Sequence, residues 1–247
     1  PIEAAEGGER EAVAAALGAL VSGTQMKSFE AVLEEVKGRE AITLPPRKGD
    51  RVASLIFTSG TTGPSKAVLS SYVQGHAMGP VAHNYIDETD HTLVNLPLFH
   101  VGGTVYFNIA LGTGSSCHLD THFKTDTFWA TVRQESITNA LLLGAIITFL
   151  NKLPQSPDDQ NHTLRKAICV PWNDDARKLG ERHGVNLRTT FNMTEISSPM
   201  VSEPYPPKPG TCGILRDGVE ARVVDENDCE VPPGIAGDLI LRTATVW

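Results

Sequence analysis

The sequence predicts an α/β protein in which βαβ units build a mainly parallel sheet, followed by a small β segment towards the C-terminus. Short apolar runs typical of buried strands alternate with stretches of helical period between residues 51 and 191. Glycine and proline separate these patterns, and a proline-rich stretch at residues 204–210 ends the alternation. Two more strand-like runs follow that stretch with no helical pattern between them.

The elements are predicted in a regular order along the chain. Helical period at residues 9–20 and 28–36 predicts two lead-in helices, the second with Ser28 as a suitable N-cap. The strands that follow are predicted at residues 52–57, 92–96, 115–119, 138–143, 165–170, 186–191, 219–224 and 238–242. The helices between them are predicted at residues 70–85, 103–111, 126–134, 146–152 and 174–183. Because two strands cannot stabilise themselves in water, the last two must pack on the preceding part.

The composition excludes several classes of protein. With 40% hydrophobic and 20% charged residues among 247, the chain is an ordinary globular protein rather than a disordered one. Its formal net charge of −8 argues against a nucleic acid or an anionic membrane as partner. Four scattered cysteines, none in a Cys-x-x-Cys pair, fit a reducing compartment, so we expect a cytoplasmic protein. The longest apolar run, residues 140–150, is shorter than the roughly 18 residues that a membrane span needs.

Residues 58–66 are the most informative stretch, because they place hydroxyl and glycine residues directly after an apolar strand. The residues concerned are Thr58, Ser59, Gly60, Thr61, Thr62, Gly63 and Lys66. Backbone N–H groups and hydroxyls in such a turn can converge on an anion, glycines allow close approach, and lysine adds a mobile charge. The stretch is not a nucleoside-triphosphatase P-loop, because Ser65 stands where that motif needs glycine. A polar surface turn is the alternative, but the length and order favour a phosphate site.

The segment 56–68, Ile-Phe-Thr-Ser-Gly-Thr-Thr-Gly-Pro-Ser-Lys-Ala-Val, resembles the phosphate-binding signature of adenylate-forming enzymes. This superfamily comprises the acyl-CoA synthetases, the adenylation domains of nonribosomal peptide synthetases, and the luciferases. Pro64 and Ser65 are exchanged relative to the usual order, and Ala67 replaces a glycine, whereas Lys66 keeps its usual spacing. The resemblance implies the fold of the acyl-adenylating N-terminal domain and a site for ATP phosphates at this stretch.

A second segment matches the same family. Residues 96–103, Leu-Pro-Leu-Phe-His-Val-Gly-Gly, resemble the family's Pro-Leu-Phe-His segment. The resemblance implies that His100 and the neighbouring Gly102 line the acyl pocket. A histidine that belongs to the apolar core is the alternative.

A third segment, residues 191–195, resembles the family's Tyr-Gly-Met-Thr-Glu signature as Phe-Asn-Met-Thr-Glu. The implied roles are adenine stacking for Phe191, a phosphate bond for Thr194 and magnesium ligation for Glu195. Asn192, also an implied nucleotide-binding residue, replaces the family's glycine at the point where the backbone approaches the base. Carboxylate and phosphate oxygens are ligands that Mg²⁺ prefers. With Lys66, Thr194 and Glu195 are the implied catalytic residues. An ordinary helix start with an acidic first turn is the alternative.

The resemblance implies a two-step reaction for the intact protein. A small carboxylic acid is activated by ATP to an acyl adenylate, and coenzyme A then forms the thioester. The implied cofactors are ATP, Mg²⁺ and coenzyme A, the implied partners are the acid and coenzyme A, and a homodimer is allowed. Residues 169–173 depart from the usual small-residue pattern, as in some carnitine-type CoA ligases. The alternatives are an adenylation domain that loads a carrier protein, a non-catalytic nucleotide-binding remnant, and a generic phosphate-binding module.

The resemblance also implies a truncated enzyme, since family members are about twice as long. The aspartate segment that holds the ribose and the small C-terminal domain with its lysine have no counterpart here. The acidic start without methionine fits a piece of a longer protein and does not resemble a signal peptide. We expect lead-in helices and a loop at residues 1–50, a nucleotide- and acyl-binding α/β subdomain at 51–203, and a partial β subdomain at 204–247.

Overall fold

The computed structural model describes residues 29–39, 46, 48–58 and 64–243. The chain divides into two compact units, residues 1–46 and 47–247. In the first unit, helix α1 spans Phe29–Val36, which confirms the helix predicted at residues 28–36. The helix predicted at residues 9–20 lies outside the described residues, as do residues 59–63 of the polar stretch.

The second unit opens with a hairpin that the sequence did not predict. Strand β1 (Val52–Thr58) pairs antiparallel with β2 (Lys66–Ser71), so Thr58 lies opposite Lys66. The helix predicted over residues 70–85 is wrong at both ends, because α2 spans only Tyr72–His76 and continues as a π-helical turn over Ala77–Val81. Ser71 rather than Ser70 caps α2, since its hydroxyl accepts a hydrogen bond from the Gln74 amide at 3.1 Å. Pro80 in the π-helical turn has no N–H to continue an α-helix.

Five parallel strands form the central sheet, which confirms the predicted α/β class. They are β3 (His91–Val94), β4 (Ser116–Leu119), β5 (Asn139–Leu143), β6 (Lys166–Val170) and β7 (Asn186–Arg188), in the spatial order β4-β3-β5-β6-β7. The helices that alternate with them are α3 (Val101–Thr113), α4 (Phe128–Gln134), α5 (Gly144–Asn151) and α6 (Asp174–His183). Each of these strands and helices falls on a predicted one, with ends that differ by a few residues.

Apolar side chains cover both faces of the sheet. Leu142 of β5 and Ala167 of β6 belong to a cluster with residues of α4, α5 and α6. Their chain neighbours Leu141 and Ile168 belong to a second cluster with residues of α3 and the π-helical turn. Successive side chains of a strand point to opposite faces, and here both faces are buried. This burial explains why the predicted strands are continuous apolar runs rather than alternating ones.

Helix α6 shows how local sequence signals fix the ends of an element. The side chain of Asn173 accepts a hydrogen bond from the Ala176 amide at 2.9 Å, and two aspartates occupy the first turn, where the helix dipole favours them. Gly184 ends the helix with a left-handed φ of 67°. None of the helices in the described part of the chain has the length and apolar character that a membrane crossing requires.

The strand predicted at residues 186–191 is in fact two strands that belong to different sheets. After β7, strand β8 (Thr190–Met193) pairs antiparallel with β9 (Ser197–Val201), which pairs with β10 (Ile214–Leu215). The chain changes sheet at Thr189, whose amide donates to the Ser202 hydroxyl at 2.9 Å and whose carbonyl accepts from the Ser202 amide at 2.9 Å. The last two predicted strands are confirmed as β11 (Val219–Val224) and β12 (Asp238–Thr243), which pair antiparallel with each other.

Candidate functional site

A cleft of about 380 Å³ opens where the carboxyl ends of β5 and β6 meet the start of α3 and the turn between β8 and β9. Its apolar walls include Val101, Val105, Leu141 and Ile168. Ligands of parallel sheets bind outside the carboxyl ends of the strands. A neighbouring cleft of about 410 Å³ shares Val101 and Val105 with it but contains none of the predicted site residues. The first cleft is therefore the candidate site.

Predicted site residues from distant parts of the sequence meet in this cleft. Those that line it are Thr58, His100, Gly102, Asn192, Thr194 and Glu195. Lys66 does not line the cleft, but it is exposed and lies opposite Thr58 in the hairpin. The predicted phosphate-loop residues Ser59, Gly60, Thr61, Thr62 and Gly63 lie outside the described residues, so their roles stay predictions.

Phe191 also does not line the cleft. The residues on either side of it in β8, Thr190 and Asn192, do line it. The stacking of Phe191 on adenine stays a prediction.

His100 is held at the mouth of the cleft by the start of helix α3. It is the N-cap residue of α3, and its Nδ1 accepts a hydrogen bond from the Gly102 amide at 3.0 Å. This bond assigns the proton of the neutral ring to Nε2, which leaves Nε2–H as a donor. The alternative interpretation as a core histidine is wrong, because His100 is exposed.

Thr194 and Glu195 lie in the turn between β8 and β9, where no helix begins, so the alternative interpretation as a helix start is wrong. Gln74 of α2 fixes the turn by donating from Nε2 to the Thr194 carbonyl at 2.8 Å. Asn192 is held by the hydrogen bond from its Nδ2 to the Ser198 hydroxyl at 2.7 Å. Glu195 is exposed, and its carboxylate has no hydrogen bond or ion pair with the described residues. The turn thus presents a carboxylate that no described residue engages, on a backbone that Gln74 holds in place.

Gly103 allows α3 to begin close to the preceding loop. A Cβ at this position would lie 2.4 Å from the Pro97 carbonyl oxygen and 2.5 Å from that of Leu96. We expect Gly103→Ala to lower the free energy of unfolding by about 1–3 kcal/mol, because backbone atoms would have to shift. Gly79→Ala is the matched control, since Gly79 is a buried glycine whose added Cβ would meet its neighbours at 3.4 Å or more. Urea denaturation of both variants checks this, and equal stabilities would contradict it.

Two buried residues of the cleft, His83 and Tyr106, were not predicted from the sequence. A signal existed for Tyr106, because it follows Gly102 by four residues and so lies on the same face of a helix. Nothing in the sequence pointed to His83, which follows the π-helical turn in an irregular segment.

His83 is a neutral ring inside the protein. Burial, with the positive charges of Arg216 and Arg188 acting in the same direction, lowers the pKa of its imidazole from 6.5 to about 3. The unfolded chain binds a proton at this ring below about pH 6.5, whereas the folded protein does not. The stability that the neutral ring contributes is therefore complete above pH 6.5 and is lost as the pH falls towards 3.

We accordingly expect the free energy of unfolding to fall by about 1.4 kcal/mol per pH unit from His83 alone between pH 6.5 and 4.5. The check is urea denaturation across this range with His83→Gln, which should show a shallower slope. The control is His122→Gln, which replaces an exposed ring. A slope that is the same in His83→Gln and the unmodified chain would contradict this prediction.

Known proteins that are similar to the chain include CoA ligases. A protein-family model described as AMP-binding enzyme matches residues 4–247. Sulfoacetate–CoA ligase from Cupriavidus necator is 29% identical over 221 residues, which cover 83% of this chain and 42% of that protein. Indoleacetate–CoA ligase from Aromatoleum aromaticum is 29% identical over 229 residues, which cover 89% of this chain and 44% of that protein. The chain thus spans less than half the length of these curated relatives.

Solved structures share the fold. The crystal structure of ATP-bound MatB from Rhodopseudomonas palustris has a TM-score of 0.69 at 25% identity, and the match covers 82% of this chain and 42% of that chain. The N-terminal domain of FACL13 from Mycobacterium tuberculosis has a TM-score of 0.74 at 18% identity, with 87% of this chain and 56% of that chain covered. The similarity to the FACL13 domain, at 18% identity, concerns the fold alone.

Proposed function

Because the chain belongs to the AMP-binding enzyme family, we propose that the whole protein is an AMP-forming acid–CoA ligase. It would activate a small carboxylic acid with ATP and transfer the acyl group to coenzyme A. The observation that carries the proposal is the meeting of Thr58, His100, Thr194 and Glu195 in one cleft at the carboxyl ends of β5 and β6. They come from three separate motifs of the chain, so a chance cluster of polar residues does not account for their common place.

The turn between β8 and β9 suits a magnesium ion that arrives with ATP. Glu195 offers one free carboxylate at the cleft. Within the described ranges, no group of three or more His, Cys, Asp or Glu residues could hold a metal ion. Mg²⁺ is ordinarily bound through one or two carboxylates, with substrate phosphates and waters as its other ligands. A single carboxylate beside the proposed phosphate site therefore fits a Mg²⁺ ion that is bound mainly by ATP. The bound ion would neutralise part of the phosphate charge.

The residues of the chain would act by positioning and by charge. In the first step, the carboxylate of the acid attacks the α-phosphorus of ATP, the bond to the β-phosphate oxygen breaks, and pyrophosphate leaves. Thr58 and Thr194 provide hydroxyl groups at the cleft, the Thr58 hydroxyl lying 3.5 Å from the Lys66 carbonyl oxygen, and Lys66 provides a cation opposite Thr58. Donors fixed before the reaction stabilise the charge that develops on the phosphates. In the second step, the thiolate of coenzyme A attacks the acyl carbon and AMP leaves.

His100 is proposed to face the acid. Its Nδ1 is engaged by the Gly102 amide, so Nε2–H is directed by the cap geometry and can donate to an oxygen of the acid. Gly102 leaves room beside it, since an added Cβ would lie 3.2 Å from His100 Nδ1 and 3.0 Å from Leu96 Cδ1. The acid would extend from this mouth along the apolar walls of the cleft.

Coenzyme A is proposed as the acceptor because the relatives named above are CoA ligases. Loading of a carrier protein and nucleotide binding without turnover are the competing outcomes. The predicted cytoplasmic location and homodimer stay predictions.

Exchange of radiolabelled pyrophosphate into ATP by the whole protein tests the proposal. Exchange that depends on an added carboxylic acid, followed by thioester formation with coenzyme A, is the expected result. Exchange without thioester formation would favour the carrier-loading alternative. ATP binding by the whole protein without exchange would contradict the proposed catalysis and favour a nucleotide-binding remnant.

A further inference from the structure

We propose that Tyr106 and His83 form a polar floor of the cleft that selects carboxylic acids with an uncharged hydrogen-bonding group at the end remote from the carboxylate. The inference rests on the proposed function, because it assumes that the acid enters this cleft. It concerns the class of acid, which the family membership leaves open.

The Tyr106 side chain brings a buried hydroxyl group to the cleft. Tyr106 lies in α3, is 3% exposed and lines the cleft. Its hydroxyl oxygen is buried and has no hydrogen-bond partner among the described residues. A buried polar group without a partner costs about 1–3 kcal/mol, so folded proteins rarely keep one unless a ligand or water completes it.

The polar side chains of β8 that line the cleft are already engaged. The Thr190 hydroxyl donates to the Met200 carbonyl at 2.8 Å, and Asn192 donates to Ser198. Among the described residues that line the cleft, only the Tyr106 hydroxyl is a side-chain polar atom that is itself fully buried and without a partner. A hydrogen-bonding group of the acid would therefore meet this hydroxyl.

His83 lies beside Tyr106, with 6.4 Å between the ring centroids. It is 2% exposed, and its Nδ1 lies 3.3 Å from the Tyr85 hydroxyl. Nε2 has no hydrogen bond with a described residue and is the second group of the floor. The two side chains together can donate to and accept from one small neutral group, such as a hydroxyl.

The charge of the cleft argues against a second acidic group. No Lys or Arg is among the described residues that line it. Val105 and Ile168 beside the floor are 5% and 0% exposed. Arg188 and Arg216, whose charges act on His83, do not line the cleft; Arg188 is bonded to Glu203, and Arg216 to the Ala77 and Ser198 carbonyls. A remote carboxylate or sulfonate would therefore be buried without a cation in contact with it. A wholly aliphatic acid would instead leave the Tyr106 hydroxyl without a partner.

The experiment measures binding of three acyl-sulfamoyl adenosines to the whole chain by calorimetry. Their acyl groups have matched length and end in a hydroxyl (ω-hydroxyhexanoyl), a methyl (heptanoyl) or a second carboxylate (adipoyl). We expect the hydroxyl probe to bind roughly tenfold more tightly than the methyl probe, as one hydrogen bond to a buried group would give, and the carboxylate probe most weakly.

Tyr106→Phe removes only the hydroxyl group and should reduce the preference to less than about twofold. Tyr72→Phe is the matched control, because Tyr72 is half exposed and lies outside this cleft, and it should keep the preference. Thermal unfolding checks that both variants fold. The preference for the hydroxyl probe is measured first on the unmodified chain, so that part of the test does not depend on any variant.

The outcomes separate the two proposals. If none of the probes binds and AMP does not bind either, the proposed function fails and the inference fails with it. If the probes bind through their common adenosine part but the unmodified chain does not prefer the hydroxyl, the inference alone is overturned. The inference alone is also overturned if Tyr106→Phe keeps the preference for the hydroxyl probe. That result is expected if the Tyr106 hydroxyl binds only a structural water.

Discussion

Asp90→Asn is expected to lower the free energy of unfolding by about 3–5 kcal/mol, because it removes one charge from a buried ion-pair network. The Asp90 side chain is fully buried, with Lys166 Nζ at 2.6 Å and Arg165 Nη2 at 3.1 Å. The Thr138 hydroxyl donates to it at 2.7 Å and the Asp87 amide at 3.0 Å. Asparagine has the same shape but leaves the ammonium group of Lys166, whose side chain is only 19% exposed, without its counter-charge.

The pKa of Asp90 also indicates that its ion pairs and hydrogen bonds outweigh the cost of burying the carboxylate. Burial raises the pKa of the carboxyl group, but hydrogen bonds from Lys166, the Asp87 amide and Thr138 lower it by more, so it lies below the ordinary 3.8. The network therefore contributes its stability above about pH 4 and loses it as the carboxylate is protonated at lower pH.

Urea denaturation at neutral pH measures the effect. Glu220→Gln is the matched control, because Glu220 pairs with Arg242 at 2.5 Å but is 60% exposed. An exposed pair contributes at most about 1 kcal/mol, so the two variants should differ several-fold in their effect. A loss below about 1 kcal/mol for Asp90→Asn would show that the network is dispensable.

The parallel sheet could be predicted from the sequence because its signals are local. Its strands are apolar runs buried on both faces, and caps such as Asn173 mark the helices between them. Strand β9 could not be predicted, because its first residues Ser197 and Ser198 are polar although they are fully buried. They are buried by pairing with β8 and by contact with the π-helical turn, where the Ser198 hydroxyl lies 3.4 Å from the Met78 carbonyl oxygen. Such contacts are tertiary and leave no periodic pattern.

The site residues likewise fall into those that local motifs identify and those that only tertiary packing brings to the cleft. His100, Thr194 and Glu195 could be identified because they belong to short motifs that resemble a family. His83 could not, because its place in the cleft depends on a π-helical turn and on the packing of α3 against it. The π-helical turn contains Pro80 and depends on the tertiary contacts of its segment. Neither feature shows in the sequence which way the side chains after the turn will point.

Glu195→Gln is expected to weaken magnesium-dependent ATP binding by about 2 kcal/mol, or roughly thirtyfold. The change removes the charge from the carboxylate that the turn presents and keeps its size. Nothing else in the described part of the chain is bonded to this carboxylate, so the fold should be unaffected. Under the proposed function, acid-dependent pyrophosphate exchange should fall by roughly a hundredfold or more, because the charge on the leaving pyrophosphate is less well neutralised.

Calorimetry with ATP in the presence and absence of Mg²⁺ separates the role of Glu195 from a general effect on the cleft. In the variant, the affinity for ATP with Mg²⁺ should fall towards the value measured without the ion, whereas the value without the ion should change little. Glu88→Gln is the matched control, since Glu88 is an exposed glutamate outside the cleft and its loss should change neither affinity. If Glu195→Gln binds ATP with Mg²⁺ as tightly as the unmodified chain, Glu195 is not the magnesium ligand. The ion must then be held elsewhere or by the phosphates alone.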